Sequence, residues 1–300
     1  MRHTLLLLAV LAAEPDTLAV RSERGWEEWW RADRAPAEWA GAVPAVAGSV
    51  SWRPLAPGIE WGETTVSGSG EAWRVRLIVT RIDPARVRLT TQETRRRDGR
   101  PGPWSIDSAP RRALVALNAG QFTSKGPWGW VVRDGTELRA PGTGPLAPAF
   151  VVDTAGAARL VPADSLQALR LSGAVREAFQ SYPALLVGDG EVPAALREPD
   201  SGVDLEHRDA RLAIGTGRDG RLLIALTRFE ALGGALSNLP FGLTTPEMAA
   251  VMGALGCRQA MLLDGGISSQ LQLRADDGTV HRWRGIRRVP LALLALPARD

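Results

Sequence analysis

Three Asp-Gly dipeptides, Asp134-Gly135, Asp189-Gly190 and Asp219-Gly220, each stand between two short apolar or alternating runs. Tight two-residue turns need positive φ, which glycine adopts without strain, so this pattern is a strong local signal for β-hairpins. Residues 130–138, 184–192 and 212–227 therefore read as hairpins, and 149–152 and 158–161 flank a further turn. Val75, Leu77 and Val79 alternate with Arg74 and Arg76, as in a half-buried strand. Residues 59–61, 87–91, 114–117 and 289–296 read as additional strands, and 166–179 contains helical material. A helix is expected over 244–255, with Thr245 as N-cap, Pro246 at its first position and Gly256 as its stop. Trp26, Trp29 and Trp30 have helical spacing and predict an amphipathic helix packed on the main body. The sharper alternative for them and Trp39 is a surface that stacks on carbohydrate. The fold class expected is α+β: a strand-rich single catalytic domain with a mixed sheet, several hairpins and a few helices, without regular βαβ alternation.

Charge narrows the partners. Net charge is only +3 although the pI is about 9.9. Lys125 is the only lysine among 36 basic residues, so the pI reflects arginine chemistry rather than a polycationic surface. The longest like-charge run, Arg95-Arg96-Arg97, ends at Asp98 and reads as a solvated loop, so no nucleic-acid partner is expected. The lone Cys257 excludes an intrachain disulfide and lies in an apolar helical pattern. His3, His207 and His281 show no metal-ligand spacing, so no metal site is expected, and a divalent cation has no support in the sequence. Met1-Arg2-His3-Thr4 followed by an uncharged apolar run through Ala13 reads as a signal peptide or apolar leader, too short to span a bilayer. The organisation expected is a leader at 1–13, a Trp-rich helix or linker at 14–51 and a catalytic domain at 52–298. The location expected is secreted, periplasmic or at the cell envelope, with peripheral envelope association. Oligomeric state is left open.

The stretch with the most chemistry is Met261-Leu262-Leu263-Asp264-Gly265-Gly266-Ile267-Ser268-Ser269. An apolar strand ends on a carboxylate, and two glycines and two hydroxyls follow, so an acid lies beside bare backbone donors. Two other motifs mislead. Gly215-Thr216-Gly217-Arg218-Asp219-Gly220 fits a dinucleotide pattern, but an apolar strand follows where a helix is required. His207-Arg208-Asp209 imitates a kinase catalytic loop but lacks the asparagine expected five residues after the aspartate and any Gly-rich loop.

Several segments, in order, resemble the phosphodiester glycosidase family, whose bacterial relatives are associated with exopolysaccharide. Arg81-Ile82-Asp83-Pro84 looks like its early strand-turn and Leu117-Asn118-Ala119-Gly120-Gln121-Phe122 like its N-G-G-F-F segment. Gln180-Ser181-Tyr182-Pro183-Ala184-Leu185 is similar to its Q-x-G-P-x-L strand, and Asp209-Ala210-Arg211-Leu212-Ala213-Ile214-Gly215 to its P-R-T-A-I-G. Leu243-Thr244-Thr245-Pro246-Glu247-Met248 resembles its helix start, and Leu263 to Ser269 its L-D-G-G-G-S. The resemblance spans roughly residues 52–296. The chain departs from the pattern at Ala119, Gln121, Tyr182, Leu212 and Ile267.

The resemblance implies hydrolysis of a glycosyl-1-phosphodiester in a cell-envelope or extracellular glycan, with a carbohydrate or sugar-phosphate as partner and no cofactor. Asp264 is the candidate nucleophile or general base, Arg211 the candidate phosphate clamp and Asn118 a holder of a sugar hydroxyl or of the carboxylate. Gly120, Gly265, Gly266, Ser268, Ser269 and Tyr182 are the candidate substrate-binding residues. For each a structural role competes: a salt bridge for Arg211, turn capping for Asp264, an Asx-turn for Asn118. Asp209 and Glu230 are weaker candidates for a second carboxylate, and Glu247 reads as a helix cap. Two rival functions are a non-catalytic glycan-binding or envelope-assembly protein, favoured by the departures, and a metal-dependent phosphodiesterase. The test of the site is whether Asn118, Arg211 and Asp264 meet in one cleft.

Overall fold

The computed structural model describes residues 15–94, 99, 102–199, 201–230 and 241–298. The apolar leader at 1–13 and the arginine run at 95–97 lie outside them.

The hairpins expected at the Asp-Gly turns form. Val131–Arg133 pairs with Thr136–Arg139. Leu212–Gly217 pairs with Leu222–Phe229 in unbroken register from Leu212 opposite Leu226 to Thr216 opposite Leu222. Val187 bridges Glu191 around the third turn. These hairpins assemble into larger sheets. A nine-stranded sheet runs, neighbour to neighbour, Ala184–Leu186, Cys257–Leu262, Leu212–Gly217, Leu222–Phe229, Val75–Ile82, Ile59–Gly68, Thr17–Ser22 and Gly25–Arg31, with Arg53–Ala56 added to Ile59–Gly68. One five-stranded sheet is ordered Thr136–Arg139, Val131–Arg133, Val175–Gln180, Ala149–Asp153 and Ala158–Val161. The other is ordered Val280–Trp283, Leu271–Arg274, Val115–Asn118, Leu291–Pro297 and Val87–Glu93. Where a mixed sheet is expected from the sequence, every ladder among the described residues is antiparallel. Successive strands pair through hairpins, and the long-range ladders are antiparallel too, as between Leu222–Phe229 and Val75–Ile82.

The sheets share a central core. Leu222 and Phe229 bound a strand buried along its whole length, because its two faces meet two different cores. Leu222, Ile224 and Leu226 face the three-sheet interior with Ile78, Leu117, Phe150, Phe179 and Leu293. Leu223 and Ala225 face a second core with Met248, Val251 and Met252 of the helix Thr245–Ala254. Phe150 and Phe179 stack at 5.2 Å in the interior, a pair worth about 0.5–1.5 kcal/mol beyond area burial. Cys257 is buried in the second core, and desolvation raises its thiol to about 12. It is therefore expected to resist a thiol-reactive probe in the native protein and to react with one equivalent in denaturant; fast native labelling contradicts this packing.

The helix Thr245–Ala254 begins one residue earlier in its cap than the sequence suggests. Thr244, not Thr245, is the N-cap: its hydroxyl accepts from the Glu247 amide while the Glu247 carboxylate accepts from the Thr244 amide at 2.8 Å. The reciprocal box decides the position, since it requires the acid three residues after the cap.

The expected helix at Trp26, Trp29 and Trp30 is a strand instead. Gly25–Arg31 pairs antiparallel with Thr17–Ser22, which itself pairs with Ile59–Gly68. Bulky aromatics suit a pleated surface as well as a helix face, and the open sheet edge supplies partners that a local helix lacks. A register shift between Leu18 and Ala19 then separates the tryptophans. Trp30 is buried, Trp29 packs on Trp39 at 6.3 Å, and Trp26 is half exposed. Trp39 lies against Gly253, where any Cβ would strike its ring. These tryptophans serve the core rather than a shared stacking face. No helix among the described residues is long and apolar enough to cross a membrane.

Candidate active site

Strand ends from two sheets converge on one cleft of about 570 Å³, lined by Gln121, Trp128, Thr143, Gly144, Tyr182, Pro183, His207, Asp209, Arg211, Asp264 and Gly265 among others. Asp264 follows the strand Cys257–Leu262 of the nine-stranded sheet, and Arg211 precedes its neighbour Leu212–Gly217. Asn118 ends Val115–Asn118 of a five-stranded sheet. It is buried behind the cleft rather than in its wall. Its amide donates to the Asp264 carbonyl at 2.8 Å and its side-chain oxygen accepts from the Gln270 amide at 2.9 Å. Asn118 thus clamps both ends of the 264–270 turn; of the three residues expected in one cleft, Arg211 and Asp264 line it and Asn118 does not.

Asp264 is half-buried, and its Oδ2 is buried without a hydrogen-bond partner. Desolvation raises its carboxyl above the ordinary range, with Ser268 and Arg287 opposing and the charge of Asp209 reinforcing the rise. Asp209, a weak candidate in the sequence, lines the same cleft, as does Asp204. Desolvation raises Asp209 too, opposed by Arg211, the Ala210 amide, His207 and Arg228. Asp209 and Asp264 come together because of the glycines. A Cβ on Gly266, at φ +56°, would lie 2.5 Å from Asp209 Oδ2, and one on Gly265 would lie 2.8 Å from the Ala210 carbonyl. Only bare backbone lets the 209–210 segment sit against the Asp264 turn, and the Gly266 amide donates to the Ala210 carbonyl at 2.7 Å. Glu230 lies elsewhere, paired with Arg74 at 3.8 Å.

Arg211 is buried, and desolvation lowers its pKa against the pull of Asp209. Its Nε donates to the Leu243 carbonyl at 2.8 Å and its Nη2 to the His207 carbonyl. Most of the guanidinium fork is therefore spent on shaping the wall that carries Asp209. Gly120 lies behind the cleft, where a Cβ would meet the Gln180 carbonyl at 2.7 Å. Tyr182 lines the cleft, and its carbonyl accepts from the Gln121 side chain at 3.1 Å. Ser268 and Ser269 are buried under the turn, the Ser269 hydroxyl without a hydrogen-bond partner. Of the five departures from the family pattern, Gln121 and Tyr182 line the cleft, Ala119 and Leu212 enter the core, and Ile267 is exposed.

Two residues of this region are not named as site residues from the sequence, although Gln180 opens one of the family-like motifs. Arg228 is almost fully buried, donates to the carbonyls of Thr227, Ser269 and Arg284, and is lowered to about 10 by desolvation against the charge of Asp209. A charge closing the apolar strand Leu222–Phe229 is the signal that points to it. Gln180 is buried; its oxygen accepts from Trp130 and Gly142 and its amide donates to Gly142 and Ala147. It fixes the loop that carries Thr143 and Gly144 into the cleft. No cluster of three or more His, Cys, Asp or Glu suited to a metal occurs among the described residues.

The fold is similar to the catalytic domain of zebrafish N-acetylglucosamine-1-phosphodiester α-N-acetylglucosaminidase auto-inhibited by its pro-peptide. The TM-score is 0.61 at 18% identity, over 89% of this chain and 96% of that one. It is also similar to a hypothetical protein from Synechocystis, with a TM-score of 0.56 at 14% identity, over 94% of this chain and 68% of that one. No curated protein matches the chain at a significant level. Residues 111–295 match the model of the phosphodiester glycosidase family and include Asn118, Asp209, Arg211 and Asp264. With more than half of its length in that match, the chain belongs to the phosphodiester glycosidase family.

Proposed function

We propose that the protein hydrolyses a glycosyl-1-phosphodiester, with Asp264 and Asp209 as its working carboxylates. The observation that supports this most is the desolvated Asp264 carboxylate, with a buried Oδ2 that lacks a hydrogen-bond partner, lining a cleft together with a second desolvated acid, Asp209. Water attacks the anomeric carbon, the C1–O bond to phosphate breaks, and the products are a free sugar and a phosphomonoester. Phosphate is a good leaving group, so the main demands are delivery of water and stabilisation of an oxocarbenium-like sugar. Asp264 meets the anomeric carbon directly or through a water, and retention or inversion at C1 separates the two routes. The negative charge of Asp209 adds to the desolvation that raises the Asp264 carboxyl, so a proton is held more readily on Asp264. Arg211 holds the wall that carries Asp209 through its bonds to the Leu243 and His207 carbonyls. Gly265 and Tyr182 line the cleft beside the sugar, while Ser268 and Ser269 support the turn from beneath.

The context that fits this chemistry is a cell-envelope or extracellular glycan, reached by export through the 1–13 leader; the strands at 17–31 pair into the same sheet as the rest, so the boundary expected at 52 is not a domain boundary. Incubation with a hexose-1-phosphodiester in oxygen-18 water tests the reading. Sugar release with label in the sugar hydroxyl is the expected result. Label in the phosphate would mean P–O cleavage, and binding without turnover would leave a glycan-binding protein.

A further inference from the structure

Three carboxylates, Asp204, Asp209 and Asp264, line the cleft that an anionic substrate has to enter. The cations already described there are committed: Arg211 donates to two carbonyls and Arg228 to three. Arg287 differs. It is exposed, its charge acts on the Asp264 carboxylate, and its guanidinium lies over the Phe122 ring at 4.9 Å. Among the described residues its side chain makes no ion pair or hydrogen bond. Its backbone is fixed: the Arg287 amide donates to the Ile267 carbonyl at 2.9 Å, and the Arg287 carbonyl accepts from Gln270 at 3.4 Å. Gly285 keeps the segment close, since a Cβ there would lie about 3 Å from the carbonyls of Ser268, Ile267 and Ser269. Arg287 is thus anchored to the same turn as Asp264, and Phe122 directly follows the cleft residue Gln121.

Stacking occupies the face of a guanidinium and leaves its in-plane N–H edges free, and those edges match two oxygens of a phosphate. We propose that Arg287, stacked on Phe122 at the rim beside Asp264, binds the non-bridging oxygens of the substrate's phosphodiester and selects anionic over neutral glycosides. This rests on the hydrolase reading above and assigns the phosphate end of its substrate. The sugar then lies inward over the Asp264 turn, and the phosphate leaves toward solvent past Arg287.

The test compares wild type, Arg287→Gln and Arg287→Lys on a hexose-1-(alkyl phosphodiester) and on the neutral 4-nitrophenyl glycoside of the same hexose. Hydrogen bonds to charged groups predict that the Arg287→Gln change lowers the kcat/KM ratio of phosphodiester to neutral glycoside by about 10- to 100-fold, mostly through KM, with partial recovery in Arg287→Lys. An unchanged ratio overturns the assignment. Calorimetric titration of each protein with the hexose-1-phosphate gives a second readout that needs no turnover. Binding weakened by a similar factor in Arg287→Gln supports the site, and equal binding overturns it. Turnover with Arg287-independent phosphate binding keeps the hydrolase and removes Arg287. Arg287-dependent binding without turnover in wild type keeps the anion site and removes the hydrolase.

Discussion

Replacing Asp264 by Asn is expected to lower kcat by about 10³-fold while leaving the protein folded and more stable at neutral pH. The activity loss follows from removing the carboxylate whose Oδ2 is unpartnered in the cleft. The gain in stability follows from burial. Desolvation raises the Asp264 carboxyl in the folded state, so between the unfolded and the folded pKa the native protein holds more protons than the unfolded chain. Stability therefore falls as pH rises through that interval, and the charged form burdens the fold at all higher pH. An amide carries no such burden. Thermal melts from acid to neutral pH should show the Tm advantage of Asp264→Asn appearing above the ordinary carboxylate range and reaching a plateau. A variant less stable than wild type at neutral pH would show that Asp264 caps the turn rather than working in the cleft.

Asn118→Ala is expected to damage both fold and activity. The side chain is 1% exposed and uses both ends of its amide, one on the Asp264 carbonyl and one on the Gln270 amide. Truncation leaves two buried polar groups unpaired at about 1–3 kcal/mol each, so a loss of about 3 kcal/mol is expected. For a domain of this size that lowers Tm by about 6–12 °C. The same bonds tie the Asp264 turn to a different sheet, so their loss lets the carboxylate drift, and a displacement near 1 Å costs on the order of 10²-fold in rate. Because Asn118 positions the acid without touching substrate, the pH–rate profile should keep its shape as its height falls. Asn118→Asp should not rescue, since a carboxylate has no proton to give the Asp264 carbonyl. A shifted profile with unchanged Tm would instead place Asn118 in contact with substrate.

Much of this molecule was legible locally. Asp134-Gly135 and Asp219-Gly220 announced their hairpins because a turn's requirements sit in the residues that make it. The helix at Thr245–Ala254 was readable from its proline and acid, and only its cap was displaced by one residue, since two adjacent threonines look alike until the Glu247 reciprocity is seen. Asp264-Gly265-Gly266 stood out as a strand end with an acid, although the partner that required those glycines did not. Asp209 is distant in sequence, and its nearness to Gly266 arises from two neighbouring strands ending at the same level.

The Trp26 to Trp30 segment shows where local pattern stops deciding. Helical spacing was present, but the open edge at Thr17–Ser22 supplied hydrogen bonds that a short isolated helix could not match. Arg211 and Arg287 were likewise indistinguishable among many arginines. Whether a guanidinium spends its donors on carbonyls or keeps them free over an aromatic ring depends on backbone from remote segments, such as Leu243 for the first and Phe122 for the second. The sequence alone determined the strand-rich plan, its turns and the acid at the strand end, because those rest on periodicity and backbone preference within a few residues. Tertiary structure alone decided that Asn118 stands behind the acid, that Asp209 joins it and that Arg287 keeps its donors free. Burial and charge at those positions are set by long-range antiparallel pairing, which local pattern does not encode.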